Sequence, residues 1–204
     1  MVLKIAVLGS TKGTDLQAII DAIENGTLKN ISISFVLSNV RDAFILKRAE
    51  KHNIKAIFLD SKGKKRDEFD SEIDQLLEKN GVELVLLIGY MKLISKDFVE
   101  KWGNKTMNIH PSLLPMFAGG MDLNVHEAVL ARGCKKSGCT LMFIDEGADT
   151  GPIIMQKVVD VLDNDTSDSL KERVQKAEQE LLIKGLEKYR DGNIKIKGNK
   201  VSVS

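Results

Sequence analysis

Prolines are scarce in this chain of 204 residues: Pro111, Pro115 and Pro152 are the only three, so most of the backbone is free to form regular elements. Cysteine is as sparse. Cys134 and Cys139 are too few for a disulfide framework and read as free, reduced thiols. With three histidines, and no Cys/His spacing that suits zinc, no metal site is expected. No apolar run approaches the roughly 18–20 residues that would span a bilayer. Residues 3–8 form a strand-like run without a basic leader or small-residue cleavage site, so no signal peptide is expected and the cytoplasm is the expected location. Lys and Arg number 30 against 29 Asp and Glu, and the net charge of +1 gives no whole-chain reason to meet nucleic acid or an anionic membrane. Hydrophobic residues make up 43%, enough for one substantial core, and residues 1–204 are expected to form one domain.

Apolar spacing orders the chain. Residues 4–8 read as a buried strand, and Leu16, Ile19, Ile20 and Ile23 recur at helical intervals after it. Thr14 or Asp15 is the expected cap of that helix, and Gly26 its stop. Strands are predicted at 31–37 and 54–59, with a helix at 43–52 between them and another marked by Phe69, Ile73, Leu76 and Leu77. Residues 82–88 are so uniformly apolar that they predict a central strand covered on both faces. A helix at 95–102 and a strand at 106–110 follow. This alternation predicts a mostly parallel sheet with flanking helices and right-handed crossovers, an α/β fold. Strands at 140–144 and 153–161 then predict an antiparallel C-terminal extension, followed by a long amphipathic helix at 166–189 and a small hairpin around Gly198-Asn199. The basic run Lys62-Gly63-Lys64-Lys65-Arg66 reads as a solvated turn.

The prolines mark the chemistry. Asn108-Ile109-His110-Pro111-Ser112-Leu113-Leu114-Pro115 ends one predicted strand, and Asp149-Thr150-Gly151-Pro152 lies in the later loop. On a strand, the period of two points Asn108 and His110 to the same face. Pro111 and Pro115 then remove backbone donors and force a turn, so an amide and an imidazole are displayed together at a strand end. A carboxylate from the second loop favours the protonated imidazole. Such a trio suits acyl-type transfer, where an oxyanion needs donors and a proton must move. A capped strand end with a stabilising His–Asp pair is the plainer reading, and the pattern alone leaves both open.

These segments also carry a family resemblance that covers nearly the whole chain. The chain resembles the phosphoribosylglycinamide formyltransferases, folate-dependent enzymes of purine synthesis. The matching stretches are residues 13–20, Ser38-Asn39 with Asp42-Ala43, 89–94, 108–115, Gly138-Cys139-Thr140, Asp145-Glu146 with 149–153, and Ala177-Glu178. The run at 108–115 is specific to folate formyltransferases as a group. The resemblance implies the formyltransferase fold, 10-formyltetrahydrofolate as co-substrate without a metal, and Asn108, His110 and Asp149 as catalytic residues. The partners implied are small molecules, and the protein would be a monomer or homodimer.

The resemblance also implies binding residues. The loop 9–15 and the helix start, with Gly13, Thr14, Asp15, Leu16 and Gln17, would hold the substrate's phosphate, and Glu178 its ribose. By itself the loop is a weak anion signal, being neither a Walker A loop nor a dinucleotide fingerprint. Arg66, Met91, Lys92, Leu93 and Ile94 would contact the folate, with Asn108 at its reactive end. The backbone of Asp145, Glu146, Gly147, Ala148 and Asp149 would hold the pteridine. Read from pattern alone, 91–94 is ordinary core with a solvated lysine. Three departures stand out. Thr14-Asp15 replaces the family's usual Ser-Asn, placing a carboxylate near a phosphate, which Lys12 could offset. Met142 stands where the family often has His, and Met cannot donate a hydrogen bond. The segment 119–126 is about two residues longer than the common form; its His126 is read as part of a helix start, and His52, near a helix end, as structural or exposed.

Two enzyme alternatives share the trio. Methionyl-tRNA formyltransferase would carry an additional C-terminal domain, and formyltetrahydrofolate hydrolase an N-terminal regulatory one; neither is expected here. A folate- or phosphoribosyl-binding protein with little turnover is the alternative of a different class, motivated by Asp15 and Met142.

Overall fold

Alternation of apolar side chains decides the layering. In the computed structural model, which describes residues 1–119 and 124–204, β1 (Leu3–Leu8) sends Leu3, Ile5 and Val7 to one face and Ala6 and Leu8 to the other. β4 (Leu84–Leu87) does the same with Leu84 and Leu86 against Val85 and Leu87, and all four are buried. Each such side chain withdrawn from water contributes about 1.5–3 kcal/mol. A strand buried on both faces must lie inside a sheet with helices above and below, as residues 82–88 predicted.

The main sheet has the order β3-β2-β1-β4-β5-β6-β7. β2 (Ile31–Ser38) and β3 (Ala56–Phe58) lie on one side of β1; β4 and β5 (Thr106–His110) lie on the other, all parallel. β6 (Lys136–Phe143) and β7 (Ile153–Asp160) add antiparallel, with Asn108 opposite Met142 and His110 opposite Thr140. The mostly parallel sheet, its flanking helices and the antiparallel extension are as the sequence predicted. β8 (Ile194–Lys197) and β9 (Lys200–Val203) form the small hairpin, turning at a left-handed Gly198.

Two helical layers cover the sheet. α1 (Thr14–Glu24), α2 (Phe44–Lys51), α5 (Val125–Ala131) and the long α6 (Ser167–Arg190) pack on the face of Ile5, Leu86, Ile109 and Leu141. α3 (Arg66–Lys79) and α4 (Lys96–Trp102) pack on the face of Leu8, Phe35 and Leu87 through Phe69, Ile73, Phe98 and Trp102. Chain order runs out from β1 in both directions, so the loops after β1 and β4 diverge at a switch point, where open sheets bind ligands.

One cap differs from expectation. Neither Thr14 nor Asp15 caps α1; the N-cap is Gly13, left-handed at φ 64°, with no side-chain cap bond. The packing of Ile45 explains the glycine, because a Cβ on Gly13 would meet Ile45 atoms at 2.4–2.9 Å. The first N–H groups of α1 therefore keep no side-chain acceptor. Asp15 instead lies inside the first turn, with its side chain buried.

Candidate active site

β5 carries the site because its two faces differ. Met107 and Ile109 enter the core under α1 and α6, while Thr106, Asn108 and His110 point the other way, as the period of two requires. Pro111 ends the strand, and the loop of residues 144–152 leaves β6 beside Thr106, whose carbonyl accepts from Ile144 N at 3.2 Å. That loop folds back across the same face and delivers Asp149. Asn108 Nδ2 donates to Asp149 Oδ1 at 3.2 Å, and His110 Nδ1 lies 3.3 Å from Asp149 Oδ2. Gly119 N donates to Oδ2 at 3.1 Å. The structure thus brings the three sequence-predicted catalytic residues together. Burial alone would push the Asp149 carboxyl up, but the hydrogen bond and charge of His110, with the Gly119 N–H, outweigh it and hold the carboxyl below its ordinary value.

With Nδ1 turned to Asp149, the other ring nitrogen of His110 is left over. Nε2 is buried and has no partner among the described residues. The second N–H of the Asn108 amide is likewise not required by Asp149. The site therefore offers one amide donor, and a second donor whenever the His110 ring carries both protons. Met142, opposite Asn108 and 1% exposed, adds surface there but no donor.

Two loops need holding for this geometry. Thr140 Oγ1 donates to Ser112 O at 2.7 Å and accepts from Leu114 N at 3.0 Å. Gln156, opposite Thr140 on β7, donates to Leu114 O at 3.0 Å and to Thr140 Oγ1 at 2.9 Å. The proline-bounded turn is thus pinned from β6 and β7. In the second loop Asp145 accepts from Gly147 N at 2.9 Å and Thr150 Oγ1 at 2.7 Å. Asp149 itself is left-handed, φ 59°, which Asp tolerates better than most residues. Gly151 follows because a Cβ there would lie 2.1 Å from the Phe143 carbonyl oxygen.

The residues expected to hold a folate line two adjoining clefts. The first is walled by Leu87, Tyr90, Ile94, Met142 and Ile144, with residues 145–149 along one side and Asn108 at its base. The second lies between Lys64, Lys65 and Arg66 on one side and Met91, Lys92 and Leu93 on the other. Lys92 and Leu93 belong to both. Met91 and Leu93 are 51% and 43% exposed, an apolar rim suited to a flat ring system. Lys92 Nζ lies 5.2 Å from the Phe69 ring centre. The plain-core reading of 91–94 does not describe these rim residues.

The opposite layer holds the expected phosphate and ribose residues. Gly13 to Gln17 form the first turn of α1, and Gln175 Nε2 reaches Thr14 Oγ1 at 3.4 Å. Asp15 does not face outward: it is buried, Oδ1 has no partner among the described residues, and burial pushes its carboxyl up to about 6, against the Gln179 amide. Glu178 on α6 is buried beside it; desolvation and then the Asp15 charge raise its carboxyl well above the ordinary value, with Lys171 acting the other way. His126, in the first turn of α5, is also buried, and burial followed by Lys171 lowers its basicity. Residues 120–123 of the lengthened segment lie outside the described residues. His52 caps α2 and bonds Glu24 at 2.8 Å, a structural role.

A family model described as formyl transferase matches residues 3–186. The chain belongs to the formyl transferase family. It is 35% identical over 197 residues to the phosphoribosylglycinamide formyltransferase of Haemophilus influenzae, covering 96% of this chain and 91% of that one. A structure of the phosphoribosylglycinamide formyltransferase from Coxiella burnetii superposes with a TM-score of 0.93 at 35% identity, covering 100% of this chain and 94% of the other. It is 40% identical over 195 residues to the trifunctional purine biosynthetic protein adenosine-3 of Chironomus tentans, matching 95% of this chain but spanning only 14% of that longer protein.

Sequence reasoning assigned no role in this formyl transferase to Thr140, Gln156, the Asp145 carboxylate or Tyr90. The first two act through cross-strand register, which spacing along the chain does not reveal. Asp145 had a signal, since Asp followed two residues later by Gly is a common side-chain-to-backbone turn. Tyr90 lines the first cleft with its hydroxyl buried and unpartnered among the described residues, and burial followed by the Asp70 charge pushes that hydroxyl well up. Among the described residues no three His, Cys, Asp or Glu side chains converge as a metal site.

Proposed function

We propose that this formyl transferase moves the formyl group of 10-formyltetrahydrofolate onto the amine of 5-phosphoribosylglycinamide in de novo purine biosynthesis. The observation that carries the reading is the convergence of Asn108 and His110 on Asp149, with Asn108 and Asp149 lining the first cleft and His110 Nε2 buried without a partner among the described residues. The cleft fits the co-substrate: apolar walls and a strip of backbone suit a planar heterocycle, and Arg66 with Lys92 suits a carboxylate tail.

The amine forms the new N–C bond directly on the formyl carbon, and the carbonyl electron pair moves to oxygen. Asn108 donates to that oxyanion, and protonated His110 adds a second donor through Nε2; one such contact is worth about 3–4 kcal/mol. As the old C–N bond breaks, its electron pair stays on the folate nitrogen, which takes the His110 proton. Asp149 orients the ring, stabilises its charge, and helps pass the amine's proton to water. The α1 head and Glu178 hold the acceptor's phosphate and ribose. Residues 1–204 act as one catalytic domain, in the cytoplasm, as a monomer or homodimer without nucleic acid or membrane.

A second reading, a folate- or phosphoribosyl-binding protein of low turnover, draws on Met142 and Asp15. Purified protein mixed with 10-formyltetrahydrofolate and 5-phosphoribosylglycinamide decides between them. Tetrahydrofolate and formylated acceptor should appear in equal amounts. Tetrahydrofolate released without acceptor would indicate hydrolysis, and binding without product would support the second reading.

A further inference from the structure

α2 holds two consecutive carbonyls of the loop between β1 and α1. Ile45 N donates to Thr11 O at 3.2 Å. Arg48, one turn further along the helix, donates from Nε to Lys12 O at 2.8 Å. A second bond from the same guanidinium fixes its direction, with Nη1 donating to Gln17 Oε1 at 3.1 Å. The Gln17 amide is anchored in turn: Nε2 donates to Asp21 Oδ1 at 2.8 Å and lies 3.0 Å from His52 Nε2. Arg48 is half-buried, lies 4.9 Å from the centre of the Phe44 ring, and forms no ion pair among the described residues. Its fork is directed at a loop carbonyl and an amide rather than at a carboxylate.

These bonds decide where the next N–H groups point. The peptides that join Thr11 to Lys12 and Lys12 to Gly13 are trans, and a trans peptide points its C=O and its N–H in opposite directions. With Thr11 O and Lys12 O held towards α2, the Lys12 and Gly13 N–H groups turn away from it. Neither has a backbone acceptor among the described residues. Gly13 O accepts from Gln17 N at 3.3 Å as the first bond of α1, so the N–H groups of Thr14, Asp15 and Leu16 have no intrahelical partner either. Successive free N–H groups of this kind suit an anion. A turned-over Lys12-Gly13 peptide, which glycine permits, would replace one of them with a carbonyl that repels phosphate.

Resting on the proposed acceptor reading, we propose that Arg48 is a positioning residue for the acceptor's phosphate: by holding the Lys12 carbonyl on the α2 side, it presents the Gly13 N–H to the anion.

Arg48→Met keeps an apolar stem over Phe44 and removes both donors. Equilibrium binding of 5-phosphoribosylglycinamide, of its dephosphorylated ribonucleoside and of tetrahydrofolate tests the proposal without turnover. The variant should bind the phosphorylated acceptor at least about tenfold more weakly, the size of one hydrogen bond to a charged group, while the other two ligands stay within about twofold. In the parent, the Gly13 amide proton should move downfield in NMR spectra when the phosphorylated acceptor binds; in the variant that shift should be lost even at saturation. A Gly13 shift of parental size in the variant, or unchanged discrimination between the two acceptors, would overturn the role of Arg48 alone. Equal weakening of all three ligands would also overturn it, since Arg48 would then merely support the fold. If the parent binds both acceptors equally, the phosphate reading fails and this inference with it. If binding follows the expected pattern while no formyl transfer occurs, only the transfer reading fails.

Discussion

His110 has one ring nitrogen turned to Asp149 and the other buried without a partner among the described residues, so in the proposed mechanism the first is held and the second reacts. His110→Ala and Asn108→Ala should each lower turnover by at least about 10²-fold with little loss of folate or acceptor binding, because both groups act on charge that develops during the reaction. Steady-state kinetics with separate binding measurements test this, and near-normal turnover would remove that residue from the mechanism. Met142 faces Asn108 across the strand pair with no donor to give. Met142→His should change the single-turnover rate at saturating folate by less than about tenfold, since two donors are already present and a thioether packs well against a ring. An acceleration of about 10²-fold, the size of one oxyanion contact, would mark Met142 as a lesion and support the low-turnover reading.

At the scale of elements, the site depends on two loops being held against β5 and β6. Gly151 lets the Asp149 loop pass close to the end of β6, where an added Cβ would meet the Phe143 carbonyl oxygen at 2.1 Å and Asp145 N at 3.1 Å. Backbone cannot yield as a flexible side chain can. Gly151→Ala should therefore destabilise the fold by about 1–3 kcal/mol and lower turnover by displacing Asp149. Denaturant unfolding and kcat measured on the same sample test both halves, and a variant with unchanged kcat would show that the loop adjusts without moving the carboxylate. Much of this was legible in the sequence. The two-residue spacing of Asn108 and His110, the prolines that end β5, and the apolar run of β4 each state their own geometry locally. What was not legible comes from partners distant in the chain: Gln156 finds Leu114 only once β6 and β7 are in register, and Gly13 rather than Thr14 or Asp15 caps α1 where Ile45 of α2 leaves no room for a Cβ.

Over the whole molecule, the buried carboxyls Asp15 and Glu178 make stability depend on pH. Burial raises the Asp15 carboxyl to about 6, above its value in the unfolded chain. The folded state then binds more protons than the unfolded one between about pH 4 and 6, so this contribution to stability falls as pH rises through that window and stays lost above it. Asp15→Asn should be more stable than the parent at pH 7–8 by on the order of 1–3 kcal/mol, with the difference vanishing near pH 4. Thermal unfolding of both proteins across that range tests it, and a pH-independent difference would mean that the Asp15 charge is not the cause.

The two helical layers have a further consequence. The two clefts proposed for the folate open in the layer of α3 and α4, while Asp15 and Glu178 lie in the layer of α1 and α6, and β5 shows a different set of side chains to each. A lineage with this architecture can revise its acceptor pocket through substitutions on α1 and α6 while leaving its donor pocket as inherited. Substitutions far apart in the two layers should combine additively. New acceptors are then within reach by small steps that never pass through a protein unable to hold its formyl donor.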